Sequence, residues 1–99
     1  MPTFSLLVEL PVAPGRMEQV RELMSTLLPR ARGEEGCLVF DIYFAADNDA
    51  AWIREEFVSE QYHDDVHESF PEVKNVLARL PEYLSGPWTV HRLAAGLSL

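Results

Sequence analysis

Two alternating runs on either side of a turn constrain this chain more than any other feature. From Cys37 to Phe44, the strand period of two sets Leu38, Phe40, Ile42 and Phe44 on one face. Cys37, Val39, Asp41 and Tyr43 fall on the other. From Ala51 to Val58, Ile53, Glu55 and Phe57 alternate with Trp52, Arg54 and Glu56. The link between the runs holds Asp47-Asn48-Asp49, a turn signal. An antiparallel hairpin is therefore predicted. Both of its faces carry large apolar side chains, so each face needs a cover.

The rest of the chain supplies one cover. Phe4 to Val12 reads as a first strand with Phe4, Leu6, Val8 and Leu10 on one face and Ser5, Leu7 and Glu9 on the other. Gly15 to Arg32 reads as a helix, since Met17, Val20, Met24, Leu27, Leu28 and Ala31 recur at three and four; Pro29 should kink or thin its last turns. Gly33-Glu34-Glu35-Gly36 is the exit turn. Ser59 can cap a helix running through Ser69, and Pro71 suits the first turn of another, Glu72 to Leu84, stopped by Gly86-Pro87. Trp88 to Leu93 is a last strand, followed by an apolar tail to Leu99. Residues 1–99 thus read as one α+β domain in the order β-α-β-β-α-β, the ferredoxin-like pattern.

In that pattern the helices cover one face of a four-stranded antiparallel sheet. The other face carries Leu7, Val39, Tyr43, Trp52 and Arg54. A homodimer paired through it is expected. Its ions, Glu9, Asp41, Arg54 and Glu56, either pair across that interface or hold the face in water.

Charge and composition exclude several partners. Eight basic against sixteen acidic residues give a net charge of -8, and the basic residues are scattered. Nucleic acid and anionic membrane surfaces are thereby disfavoured. No stretch approaches the roughly 18 apolar residues of a membrane span. Met1-Pro2-Thr3-Phe4 lacks the basic start of a secretory signal, so the expected compartment is the cytoplasm. Cys37 is the single cysteine, which removes an intrachain disulfide and a cysteine-rich metal site. It reads as a small apolar residue rather than a nucleophile. Neither a phosphate-cradling glycine loop nor a Ser-His-Asp order occurs.

Several segments are similar to one family. Val12-Ala13-Pro14-Gly15-Arg16 resembles the strand-to-helix junction of the antibiotic biosynthesis monooxygenase (ABM) domain. Glu34-Glu35-Gly36-Cys37-Leu38-Val39-Phe40-Asp41 resembles its EPGCLxYxL segment. Glu55-Glu56-Phe57 resembles its E-x-W strand end, and His67-Glu68-Ser69-Phe70-Pro71 its helix break. The likeness spans nearly the whole chain. It departs at Phe57, where the family has tryptophan, and in a gap from Phe57 to His67 one residue longer than usual. The resemblance implies a dimeric α+β barrel with a pocket between helices and sheet. It also implies oxygenase chemistry on small quinols, phenols or polyketide-like compounds, with no cofactor and with dioxygen as co-substrate. A haem-degrading branch is disfavoured, because Val8 and Phe57 stand where that branch has asparagine and tryptophan. A branch that isomerises a phosphorylated sugar-derived dione shares an ending like Tyr83-Leu84-Ser85-Gly86-Pro87 with Arg92-Leu93. A phosphate there would have to find Lys74, Arg79 or Arg92. A third reading is a non-catalytic ligand-binding dimer module.

His67 is the leading candidate base or acid, since imidazole titrates near neutrality; a structural histidine is the alternative. His63 lies four residues earlier on the same helical face. With Asp64 the pair could hold a metal, but further ligands at useful spacing are missing, so no metal is expected. The inner stripe is either Tyr62, Val66 and Ser69 or His63, Val66 and Phe70. Glu55 shares the face of Phe57, and a carboxyl buried there needs a donor or a proton, with His67 or Tyr62 as donor. Glu55 is either an acid-base partner or a structural anchor, and Tyr62 is the other candidate to assist His67 in removing a substrate proton. Phe40, Phe57, Phe4, Leu38 and Met24 are expected to wall a substrate pocket together with His63, or else to be plain core. Trp88 and His91 lie on opposite faces of the last strand, and the sequence leaves open which points inward.

Overall fold

The computed structural model describes residues 3–94. Four antiparallel strands form one sheet: β1 (Phe4–Pro11), β2 (Cys37–Phe44), β3 (Ala50–Phe57) and β4 (Thr89–Leu93), in the order β2-β3-β1-β4. Helices α1 (Met17–Ser25) and α2 (Leu28–Arg32) fill the first crossover. Helices α3 (Glu60–Asp65) and α4 (Pro71–Arg79) fill the second. This is the ferredoxin-like α+β fold, with every helix on one face of the sheet. The tail beyond Ala94 lies outside the described residues.

The prolines divide the helices more sharply than the apolar period suggests. The expected helix over 15–32 is two helices. Pro29 cannot donate to the carbonyl of Ser25, and Ser25 is where α1 ends; Pro29 then sits in the first turn of α2. The expected helix 59–69 ends at Asp65 and tightens into a 3-10 turn, His67–Ser69. Phe70 is extended, as a residue before proline must be, and Pro71 opens α4. That helix stops at Arg79 rather than Leu84, and Leu80–Tyr83, containing Pro81, continues as a 3-10 turn. Ser59 does cap α3, its hydroxyl accepting from the Tyr62 amide at 3.0 Å.

The hairpin forms as expected, with Asn48 at φ 61° in its turn, a left-handed conformation asparagine tolerates. Along β3, Ala51, Ile53, Glu55 and Phe57 are buried while Trp52, Arg54 and Glu56 are half-buried. In β2 the simple alternation fails at its start. Cys37 pairs with Phe57 and Val39 with Glu56, so Leu38 is the extra residue of a β-bulge. Leu38 is therefore 50% exposed instead of walling a pocket, and Cys37 lies level with Phe57 on the helix side. Burial, with Glu34 and Glu55 near it, pushes the Cys37 thiol up to about 11, which keeps it protonated and inert.

The core lies between the sheet and the helices. Leu10, Val20, Met24, Phe57, Val76 and Leu80 are its largest fully buried side chains. No helix among the described residues is long and apolar enough to cross a membrane.

Candidate active site

Three ionisable side chains meet inside this core. Glu34, Glu55 and His67 are all buried. Glu34 comes from the turn before β2, Glu55 from the inner face of β3, and His67 from the 3-10 turn after α3. Such groups are rarely buried unless they are paired or hydrogen-bonded. His67 Nδ1 lies 2.8 Å from Glu34 Oε1, and Tyr62 Oη donates to Glu34 Oε2 at 3.1 Å. On the opposite side of the ring, His67 Nε2 is 3.6 Å from Glu55 Oε1.

The approach of Tyr62 depends on a glycine. A Cβ built on Gly36 would come within 2.5–2.7 Å of the Tyr62 ring, so any larger residue there displaces the phenol from Glu34. Behind the site, Phe57 is 0% exposed and its ring centroid lies 4.6 Å from that of His67 and 5.1 Å from that of His63.

Electrostatics assign proton positions. Burial pulls the His67 imidazole below its ordinary 6.5, against the opposing pull of Glu34. The ring is then neutral at pH 7. With Nδ1 facing a Glu34 oxygen, the consistent tautomer carries its proton on Nδ1 and leaves Nε2 as an acceptor. Burial, reinforced by the Glu68 and Glu34 carboxylates, pushes Glu55 up to about 8, so it is protonated at neutral pH. Burial also raises the Tyr62 phenol.

Beside this cluster is a cavity of about 120 Å³ between helices and sheet. Its polar lining is Glu55, His63, His67 and Glu68; Leu6, Val8, Phe40 and Ile53 are among its apolar lining. Among the described residues, no lysine or arginine lines it.

The sequence candidates divide accordingly. His67, His63, Glu55, Phe40 and Met24 line the cavity. Tyr62 does not; it acts on Glu34 instead. Phe57 lies beneath the histidines, while Phe4 packs against His63 at 5.2 Å and under the Arg92 guanidinium at 5.0 Å, so neither walls the cavity. Both histidines turn inward, whereas Val66, common to both expected stripes, is exposed. The break after Asp65 is what frees the register. Trp88 lines the cavity, and His91 is on the outer face, 3.4 Å from Glu9. Glu34 was missed, because nothing local distinguishes it from Glu35; its one signal is its place at the head of the EPGCL-like run. His63, Asp64 and Glu68 offer ligand atoms within 4.8 Å of one another, but all come from one short stretch and Asp64 stands in solvent, as unliganded acids commonly do.

A ferredoxin-like domain holding a carboxylate-oriented histidine over a small cavity defines a class of ligand-binding or catalytic α+β protein. Comparison with known proteins is more specific. The family model described as antibiotic biosynthesis monooxygenase matches residues 3–79, and the chain belongs to that family. Its fold is similar to that of Rv0793 from Mycobacterium tuberculosis, with TM-score 0.87, 25% identity, and 97% of each chain covered. PA3566 from Pseudomonas aeruginosa is similar at TM-score 0.86 and 17% identity, over 98% of this chain and 97% of that one. A crystal structure of an antibiotic biosynthesis monooxygenase is similar at TM-score 0.83 and 17% identity, over 95% of this chain and 99% of that one. No curated protein matches the sequence.

Proposed function

We propose that this protein is a cofactor-independent monooxygenase of a small phenolic or quinol compound, with His67 as the base. One observation carries the reading: His67 Nε2 faces Glu55 Oε1 at 3.6 Å beside the cavity, while Glu34 holds the opposite nitrogen at 2.8 Å. His67 Nε2 takes the substrate's hydroxyl proton. The imidazolium so formed keeps its hydrogen bond to Glu34, which lowers the cost of charging a buried ring. The electron-rich substrate anion then reduces dioxygen, one atom of which bonds to a ring carbon. The substrate loses two hydrogens and gains one oxygen, and the other oxygen leaves as water. His67 returns its proton to that departing oxygen. The apolar walls exclude water and admit dioxygen.

Oxygen uptake with a panel of phenols and quinols tests this assignment. His67→Ala is expected to lower kcat/KM by about 10²- to 10⁴-fold, the usual worth of a positioned base. No uptake above background, or undiminished uptake by the variant, removes it. The isomerase of a phosphorylated dione gains no support, since among the described residues no lysine or arginine lines the cavity. Lys74 and Arg79 are exposed and away from its lining, and Arg92 pairs with Glu60 at 2.8 Å.

We also propose that two copies pair through the outer face of the sheet. Leu7, Val39 and Trp52 are only half-covered there, and Tyr43 is 56% exposed. Charges on that face are already partnered within the chain. Arg54 lies 3.4 Å from Glu56, which also accepts from Ser5 at 2.9 Å. Pre-paired ions cost less to bury than free ones.

A further inference from the structure

We infer that the cavity selects an uncharged, single-ring phenol whose hydroxyl is its one polar group. This rests on reading the cavity as the site of the oxygenase. Three observations carry it, and each removes a class of ligand.

Size is the first. An apolar cavity of about 150 Å³ holds one benzene ring. At about 120 Å³ this one has room for a single ring and not for a polycyclic skeleton.

Polarity is the second. The protonated Glu55 offers a donor, and His67 Nε2 offers an acceptor 3.6 Å away. An oxygen seated between them can be within hydrogen-bond distance of both. It must donate to one and accept from the other, which a hydroxyl does and an ether, a carbonyl or an N–H does not. Apart from His63, Glu68 and Trp88, the remaining lining is hydrocarbon or aromatic carbon, with Leu6, Val8, Phe40, Ile53, Val73 and Val76 among it. A second polar group placed among them would lose its hydration without a partner.

Charge is the third. Glu68 lines the cavity with Glu55, and no lysine or arginine among the described residues does. An anionic ligand would meet the Glu68 carboxylate and, among the described residues, no lysine or arginine.

Calorimetric titration without oxygen separates binding from turnover. The probes are p-cresol, its carboxylated analogue 4-hydroxybenzoate, and the three-ring 9-phenanthrol. Binding of p-cresol is expected at pH 7, at least about tenfold tighter than 4-hydroxybenzoate, the scale of one unfavourable charge contact in a partly buried site, and tighter than 9-phenanthrol, whose three rings exceed the cavity. Val90→Phe, at a half-exposed cavity residue of β4, and Leu77→Phe, on the opposite wall, fill the space from two sides. Each variant that keeps its thermal transition is expected to lose p-cresol binding. Equal or tighter binding of the carboxylate or the three-ring phenol overturns the inference. So does undiminished p-cresol affinity in a folded filled variant, or no binding of any probe. Failure of the oxygenase reading looks different: p-cresol binds, yet no phenol supports oxygen uptake. Conversely, uptake with polycyclic or anionic substrates alone leaves the oxygenase standing and removes this ligand class.

Discussion

The two faces of the sheet use the same alternation for opposite ends. The inner face buries Phe57 completely and sets two titratable groups, Glu55 and His67, within 3.6 Å of each other. The outer face leaves Tyr43 largely exposed and pairs its ions locally, Arg54 with Glu56 and His91 with Glu9. An ion in water is inexpensive and nearly silent. An ionisable group out of water must find a partner or change its protonation. The contrast is what assigns the proposed chemistry to the buried charges and the proposed dimer contact to the outer face.

Phe57→Ala should separate the faces most. The ring is fully buried beneath both histidines, and its loss is expected to cost about 3–5 kcal/mol of stability in denaturant unfolding. A loss below 1 kcal/mol would mean that the inner face is not the tightly packed one.

Glu55→Gln tests the buried proton. The Glu55 pKa rises on folding from 4.5 to about 8. The folded state thus holds a proton that the unfolded state has given up. Its contribution is fully present below pH 4.5 and is lost as pH rises through about 8. The variant should therefore gain stability relative to the parent as pH increases, reaching on the order of a few kcal/mol above pH 8. Thermal melts from pH 5 to 9 read the difference, and a pH-independent offset would contradict it. His67 has the reverse sign. Its depressed folded value means stability present above 6.5 and lost as pH falls through the folded pKa. Activity should follow both groups, declining below the His67 ionisation and again near pH 8, with the alkaline limb absent from Glu55→Gln.

Tyr43→Asp probes the outer face. The smallest change in subunit stability is expected here, within about 0.5 kcal/mol, as for exposed sites generally. Sedimentation velocity should nevertheless show the parent as a dimer and the variant shifted to monomer. A monomeric parent at high concentration would remove the proposed interface.

Much of the fold was legible in the sequence because it follows from short-range periods. Alternation located β1, β2 and β3, and the spacing of Val73, Val76 and Leu80 located α4. Errors collected where one residue changes the register. The bulge at Leu38 turned an expected wall residue to solvent, and Pro29 split one helix into two. Of the candidate cavity residues, Glu55 was legible from the alternation of β3, and His67 and His63 from residue type alone, since the expected helix over 59–69 breaks after Asp65 and that break sets which way they point. Glu34 was not, since it is 33 positions from His67 and looks like any surface acid beside Glu35.

The two-faced sheet, the helices on one side of it and the inner position of Glu55 were thus determined by the sequence alone, through periodicity and the need to cover apolar surface. Only the tertiary structure decided that the turn before β2 brings Glu34 to His67, that Gly36 lets Tyr62 reach the same carboxylate, and that a cavity remains beside them. Those facts depend on where separate elements dock, and docking is set by packing across the core rather than by any local pattern.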